Sequence, residues 1–195
     1  DRHPAAIVRA AGAGDVMQAV NFARENNLLL AVRGGGHNIA GKAACDGGLM
    51  LDLSGMRSVR VDPAAKRARV EPGALLGAFD RETQAFGLST PTGINSTTGM
   101  SGLTLGGGFG WQSRKRGLTI DNLVAADVVL ASGEFVQTSA TQHPDLFWAL
   151  RGGGGNFGVV TSFEYQLHPL GPQVLAGLVV YPLDQAKRVF EGYRQ

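Results

Sequence analysis

The sequence has 195 residues, enough for one domain or two small ones, and its formal net charge of +2 with scattered arginines argues against nucleic-acid binding. No apolar run approaches the ~20 residues of a membrane-spanning helix. The single cysteine, Cys45, excludes an internal disulfide and a multi-cysteine metal site, and no histidine has H-E-x-x-H spacing, so no zinc or iron centre is expected. The start of the chain lacks a signal peptide, which favours the cytoplasm and leaves a cleaved export leader open.

The first half of the chain mixes helical and strand patterns. Apolar residues at i, i+3, i+4 and i+7 predict a helix that Asp15 caps and that ends near Asn26. A second helix is predicted over 74–86, with Leu75, Phe79 and Phe86 on its apolar side. The predicted strands are 28–32, 49–53 and a hairpin of 58–61 with 67–71 across an Asp-Pro turn.

The second half contains a long stretch, 89–117, rich in glycine, serine and threonine. It is predicted as a loop, and its four large apolar residues imply that the loop is buried: Leu103, Leu105, Phe109 and Trp111. The other predicted elements are a hairpin of 123–130 with 134–138, a helix over 144–150, strands over 158–167 and 174–181, and a helix from Asp184 onward. Hairpins as numerous as crossovers predict an α+β domain of two small layered units, in preference to a doubly wound parallel sheet.

The 29 glycines cluster at 34–36, 106–110 and 152–158, which indicates backbone that closely approaches something else. In the first cluster, Gly36 to Lys42 reads G-x-x-x-x-G-K, as in a nucleotide-triphosphate P-loop. Ala43 replaces the Ser or Thr that would bind magnesium, and a strand follows instead of the required helix. Nucleotide-triphosphate hydrolysis is therefore the least favoured interpretation.

The other two clusters allow both a binding and a structural interpretation. Gly153 to Gly158 matches G-x-G-x-x-G, but a helix precedes it and a strand follows, the reverse of a Rossmann fold, so a plain helix-to-strand turn is the alternative. Thr97 to Trp111 offers hydroxyls and amides for an anionic or planar ligand, or is an irregular surface loop. Three such loops together favour a long ligand, such as an adenine dinucleotide bound outside the Rossmann scheme.

Four segments, in order, resemble the FAD-linked oxidases of the vanillyl-alcohol oxidase and p-cresol methylhydroxylase (PCMH) superfamily, nearest the berberine bridge enzyme-like and oligosaccharide oxidase branch. They are VRGGGHNIAG, GMSGLTLGGGFGW, GLTIDNLVAADVVLASGE and HPDLFWALRGGGGNFGVVTSFEYQL. The resemblance covers about residues 4–170 and implies a PCMH-type FAD-binding domain over 1–172. It implies that 173–195 begin a substrate domain whose remainder, with the catalytic base, lies outside this chain, so no catalytic residue is assigned.

The resemblance also implies the cofactor site. His37 matches the histidine that in this family bonds covalently to the isoalloxazine methyl group, although a histidine in a glycine loop more often bonds its own backbone. Loop 33–41 would wrap the FAD pyrophosphate. The residues implied to bind FAD are Arg33, Gly34, Gly35, Gly36, His37, Asn38, Gly41, Thr97, Thr98, Gly99, Gly102, Leu103, Gly106, Gly107, Gly110 and Val159.

Two positions depart from the family pattern. Asn95 stands where many relatives carry a cysteine that forms a second flavin link, and Cys45 lies in a different loop, so a single tether is expected. Arg116 replaces an aromatic residue, with no consequence assigned.

The resemblance implies an FAD-dependent oxidase that takes hydride from a sugar, alcohol or nitrogen heterocycle onto flavin N5 and reduces oxygen to hydrogen peroxide. Its partners would be a small-molecule substrate and oxygen, and the isolated chain is expected to be inactive. The alternatives are a dehydrogenase with another electron acceptor and a truncated module without activity, which would hold FAD weakly or not at all.

Overall fold

A computed structural model describes residues 2–195, which form a three-stranded sheet, a five-stranded sheet and one short strand pair. The strands are β1 (Ala6–Arg9), β2 (Leu30–Arg33), β3 (Leu49–Asp52), β4 (Val59–Asp62), β5 (Arg67–Val70), β6 (Leu88–Ser89), β7 (Leu123–Val129), β8 (Phe135–Ser139), β9 (Val159–Gln166) and β10 (His168–Pro169). The α-helices are α1 (Ala13–Glu25), α2 (Leu76–Gln84), α3 (Met100–Leu105), α4 (Ser113–Arg116), α5 (Pro144–Leu150) and α6 (Ala186–Tyr193). The predicted α+β class is confirmed.

The three-stranded sheet is parallel, in the order β1-β3-β2. Its central strand, β3, is buried along its whole length, and helix α1 packs its apolar stripe into the same core. Because the strands are parallel, β2 and β3 end at the same edge of the sheet. The chain therefore leaves β2 at Gly34 and β3 at Leu53 side by side.

The five-stranded sheet is antiparallel, in the order β4-β5-β9-β7-β8. Phe79 of α2 and Phe163 both pack their rings on Tyr165, at the centre of this core. The Tyr165 hydroxyl lies 2.7 Å from Thr104 Oγ1 of α3, which ties that helix to the sheet. Burial raises the pKa of Tyr165, so the phenol stays neutral and keeps this hydrogen bond at all physiological pH values.

Local patterns located the first helices well but not their ends. Helix α1 begins at Ala13 with Gly12 as its N-cap, and the Asp15 carboxylate instead accepts a hydrogen bond from the Ala11 amide across the first turn. The prediction that Phe86 lies on the buried side of the second helix is wrong, because the helix ends at Gln84 and Phe86 is exposed.

The interpretation of 89–117 as one buried loop is also wrong. The stretch contains α3 and α4, and only its first apolar residues pack against the core. Phe109 is 67% exposed and Trp111 is 86% exposed. Gly107 and Gly108 adopt positive φ angles shortly after α3 and so change the direction of the chain before these two rings.

The strand predicted over 174–181 does not form, whereas the helix after Asp184 does, as α6. An apolar run of this length makes a strand only when a neighbouring strand satisfies its backbone. Among residues 2–195 nothing pairs with this segment, and its large apolar side chains are exposed.

Within residues 2–195, no helix combines the length and the apolar character needed to cross a bilayer. Over the same range, no group of three His, Cys, Asp or Glu side chains is placed to hold a metal ion. Cys45 is a buried free cysteine whose thiol lies near backbone carbonyls, which fits the ordinary packed residue expected from the sequence.

The surroundings of His168, in β10, predict a free energy of unfolding that depends on pH. Its Nε2 lies 2.7 Å from Asn122 Oδ1, and the Asn122 amide group donates to the Arg116 and Leu118 carbonyls, so Nε2 is the donor in this pair. Burial, followed by the charges of Arg116 and Lys66, lowers the pKa of His168.

Because the unfolded chain then binds the proton more readily, the free energy of unfolding falls as pH drops through the unfolded pKa near 6.5. The thermal midpoint of the intact protein should drop between about pH 7.5 and about pH 5.5, and it should drop less in His168→Gln, whose amide still donates. The exposed His3 gives the control His3→Gln, which should behave like the unmodified protein. Equal drops in all three proteins would refute this role.

Candidate functional site

A cleft of about 750 Å³ opens at the edge where β2 and β3 end. Its volume is within the roughly 300–1,000 Å³ of small-molecule and cofactor sites. Val32 and Leu53 form one apolar wall, Leu103 of α3 another, and Val159 at the start of β9 a third. The cleft lies at the carboxyl ends of parallel strands, the usual position of ligand sites in sheets of this kind.

Three glycine-rich segments converge on this cleft: loop 1 (33–43), loop 2 (97–111, which includes the short helix α3) and loop 3 (152–158). Loops 1 and 2 touch backbone to backbone, since a Cβ added to Gly35 would lie 2.6 Å from Gly99 Cα. The reciprocal Cβ on Gly99 would lie 2.7 Å from Gly35 Cα, and one on Gly34 would collide with Ser101 Oγ. No side chain fits here, so these glycines are required for the loops to meet.

His37 joins the same two loops on the cleft side. Its Nε2 lies 3.0 Å from the Thr97 carbonyl oxygen, and the ring is exposed in the cleft lining. A carbonyl can only accept, so Nε2 carries the hydrogen and the neutral ring keeps its lone pair on Nδ1. The imidazole is thus held in one orientation with a nucleophilic nitrogen available.

Asn95 fixes the partner side of this contact. Its Oδ1 accepts from the Thr97 amide at 3.1 Å and from the Thr97 hydroxyl at 2.9 Å, and its carbonyl accepts from the Thr98 amide. The chain then continues into α3, where the Met100 amide donates to Ala74 and Thr104 bonds Tyr165. Asn95 therefore shapes the start of loop 2.

A turn around Asn38 shapes the far end of loop 1. The Gly41 amide donates to the Asn38 carbonyl at 3.0 Å, and the Lys42 amide donates to Asn38 Oδ1 at 2.9 Å. Gly41 adopts φ +69°, a conformation that few L-residues share. This turn returns the chain to the cleft at Lys42 and Ala43.

Arg33 supports loop 1 from behind. Its guanidinium lies 3.8 Å from Asp52 Oδ2, whose side chain is only 7% exposed, and beside the turn at Gly36. Asp52 also accepts from the Ser54 amide. The Arg33 side chain, which is 46% exposed, therefore contacts Asp52 and the turn of loop 1 and does not line the cleft.

The structure brings most of the predicted site residues together. Those that line the cleft are Gly34, Gly35, Gly36, His37, Asn38, Thr98, Gly99, Gly102, Leu103, Gly106 and Val159. Those that lie outside its lining are Arg33, Gly41, Thr97, Gly107 and Gly110. Of these, Thr97 acts through its carbonyl on His37, and Gly110 packs directly on the Thr92 carbonyl.

Several lining residues are not among the residues that the resemblance implies to bind FAD. They include Leu30, Val32, Leu53, Ser101, Lys42, Gly155 and Asn156. The strand ends could have been found from the rule that parallel strands place their carboxyl ends at one edge. Ser101 and Asn156 carry no pattern of their own, because only the packing of the loops places them here.

The cleft fits a dinucleotide. An added Cβ at Gly102 or at Gly155 would meet no protein atom within 4 Å, so these backbones face open cleft space. The lining residues include no aspartate or glutamate, which suits an anionic ligand, while the apolar walls suit planar rings.

Comparison with known proteins gives a consistent result. A family model described as "FAD binding domain" matches residues 4–139. The chain is 43% identical over 180 residues to (R)-6-hydroxynicotine oxidase of Paenarthrobacter nicotinovorans, an alignment that covers 92% of this chain and 39% of that protein. The chain thus spans about two fifths of the length of this relative.

Two solved structures show the same fold. Crystalline 6-hydroxy-D-nicotine oxidase from Arthrobacter nicotinovorans superposes with a TM-score of 0.87 at 44% identity, covering 90% of this chain and 39% of that one. Glucooligosaccharide oxidase from Acremonium strictum, described with a 6-S-cysteinyl, 8α-N1-histidyl FAD, gives a TM-score of 0.82 at 38% identity. That match covers 86% of this chain and 36% of the oxidase.

Proposed function

Since this chain belongs to the FAD-binding domain family, we propose that its cleft holds FAD and that the whole protein is an FAD-dependent oxidase. The observation that carries the proposal is the convergence of three glycine loops on one cleft of dinucleotide size. The amides of Gly34, Gly35 and Gly36 would face the pyrophosphate, and the apolar walls would receive the rings.

The bound FAD would supply hydride acceptance from a substrate C–H bond, and the residues of this chain would supply binding and orientation. The proposed substrates are a nitrogen heterocycle, a sugar or an alcohol, in line with the nicotine and oligosaccharide oxidases that the chain resembles. Oxygen is the proposed electron acceptor. If the protein turns over with an artificial electron acceptor but produces no hydrogen peroxide in air, it is a dehydrogenase and not an oxidase.

We further propose one covalent tether, through His37. Its support is the fixed ring, held by the Thr97 carbonyl with a lone pair on Nδ1, and the histidyl link named for glucooligosaccharide oxidase. Asn95 has no sulfur to form the second link named for that enzyme, and its Oδ1 is engaged with Thr97.

Filling the cleft tests FAD binding directly. Gly102→Leu in the intact protein places a bulky side chain into open cleft space from an exposed position of α3, so FAD content should fall at least roughly tenfold. Glycine in a helix interior costs about 1 kcal/mol relative to alanine, so the flavin-free variant should unfold no more easily than the flavin-free parent. FAD content is measured from flavin absorbance per protein and stability from the thermal midpoint.

Gly14→Leu is the matched control. Gly14 is also an exposed glycine in a helix, and an added Cβ there meets nothing within 4 Å, but it lies in α1 outside the cleft. This variant should keep its FAD. Two results would contradict the proposed function. One is an intact protein that contains no FAD when purified and binds none when FAD is added. The other is a Gly102→Leu protein with full FAD content.

A further inference from the structure

The cleft lining contains basic side chains but no acidic ones. Among the residues that line it, His37 and Lys42 carry the only ionisable side chains, and none is acidic. Lys42 is therefore the one lysine or arginine among the lining residues. Nothing in the PCMH-type resemblance assigned a role to this residue.

Lys42 is held in place without being neutralised. Its amide donates to Asn38 Oδ1 at 2.9 Å, inside the turn that returns loop 1 to the cleft. Its side chain is exposed and takes part in none of the ion pairs formed among residues 2–195.

We propose that Lys42 provides the counter-charge for the diphosphate of FAD. This inference rests on the proposed function and adds a side-chain contact to the backbone amides of loop 1. Glycine amides offer only partial charges, whereas an ammonium donates charge-assisted hydrogen bonds to phosphate oxygens, which are roughly twice as strong as neutral ones. It also gives the G-x-x-x-x-G-K sequence a role that needs neither the helix nor the magnesium ligand of a P-loop.

Reversible binding is needed for the test, so the variants are made in the intact protein with His37→Ala. Lys42→Met, which removes the charge and keeps the length, should weaken FAD binding roughly tenfold. Lys42→Arg, which keeps the charge, should bind within about twofold of the parent. FAD fluorescence quenching measures each dissociation constant. If His37→Ala protein takes up no FAD, the same variants are compared by the rate at which flavin-free protein with His37 incorporates FAD.

Ionic strength separates charge from structure. The dissociation constant of the parent should rise between about 0.05 and about 0.5 M NaCl, and that of Lys42→Met should rise less, because salt screens an exposed charge pair. Lys115→Met, in α4 and outside the cleft, is the matched control and should follow the parent in both measurements.

An unchanged affinity in Lys42→Met, or a loss that is equal at low and high salt, overturns the role of Lys42 while FAD binding by the parent still supports the proposed function. Failure of the unmodified protein to hold FAD at all overturns both.

Discussion

His37→Ala should abolish covalent flavin in the intact protein. The unmodified protein, loaded with FAD, denatured and precipitated, should give a yellow pellet, and the variant should give a colourless one. The reason is geometric: His37 Nε2–H donates a hydrogen bond to the Thr97 carbonyl, so the lone pair of the neutral ring is on Nδ1, in the cleft lining. Flavin fluorescence of the protein band on a denaturing gel quantifies the result.

The fold should survive this change. His37 is exposed and contributes one hydrogen bond to the Thr97 carbonyl, whose loss costs about 1 kcal/mol. His3→Ala, another exposed histidine outside the cleft, is the control and should keep its covalent flavin. A yellow pellet from His37→Ala would place the link elsewhere. A colourless pellet from the unmodified protein, with FAD released into the supernatant, would remove the tether and leave FAD binding in place.

The sequence predicts the elements whose causes are local. The hairpin of β7 and β8 depends on a Ser-Gly turn between two apolar runs, and α5 begins at a proline that suits the first helical position. The order of the five-stranded sheet has no such local cause. Strand β9 lies between β5 and β7, although it is far along the chain from β5. Its buried residues Phe163 and Tyr165 pack at the centre of the core, and this long-range packing stabilises the position of the strand.

Helix α3 shows why the sequence pattern of 89–117 does not reveal its structure. Its six residues include a glycine, a serine and a threonine, none of which favours a helix, and their helical pattern is too short to detect. What stabilises the helix is tertiary: Met100 is fully buried and Thr104 bonds the hydroxyl of Tyr165 on a distant strand. Conversely, 174–181 has a strand-like pattern but no neighbouring strand, and the pattern alone forms nothing.

The candidate site divides in the same way. Clustered glycines show that loops 1, 2 and 3 have unusual backbone, but composition does not show which loops touch each other. The contact of Gly35 with Gly99 and the hydrogen bond of His37 to Thr97 join segments that lie far apart in the sequence, 60 residues in the case of His37 and Thr97. A single sequence shows that both loops are glycine-rich. Only the packed structure shows that each loop can approach the other because both have glycine at the contact.

Gly99→Ala should both destabilise the protein and empty the cleft. Its Cβ would lie 2.7 Å from the Cα and the amide nitrogen of Gly35, and neither backbone atom can move aside as a flexible side chain could. Overpacking of this kind costs about 1–3 kcal/mol. Separation of the loops would also remove the Thr97 carbonyl from His37, so FAD content should fall together with the free energy of unfolding, measured by denaturant titration of the flavin-free protein.

Gly14→Ala is the control for the substitution itself. It meets no atom within 4 Å and lies in α1, so it should leave FAD content unchanged and raise the free energy of unfolding by up to about 1 kcal/mol. A Gly99→Ala protein as stable and as rich in FAD as this control would mean that the two loops do not meet at these glycines.

The double variant tests whether the cost arises at the contact itself. Gly35→Ala should behave like Gly99→Ala, because each added Cβ enters the same interface from the opposite side. Once the first methyl group has separated the loops, the second meets less resistance, so the double variant should lose clearly less stability than the sum of the two single losses. If the two losses in the free energy of unfolding simply add, each substitution strains its own loop independently. The backbone contact between Gly35 and Gly99 would then not be what holds the two loops together.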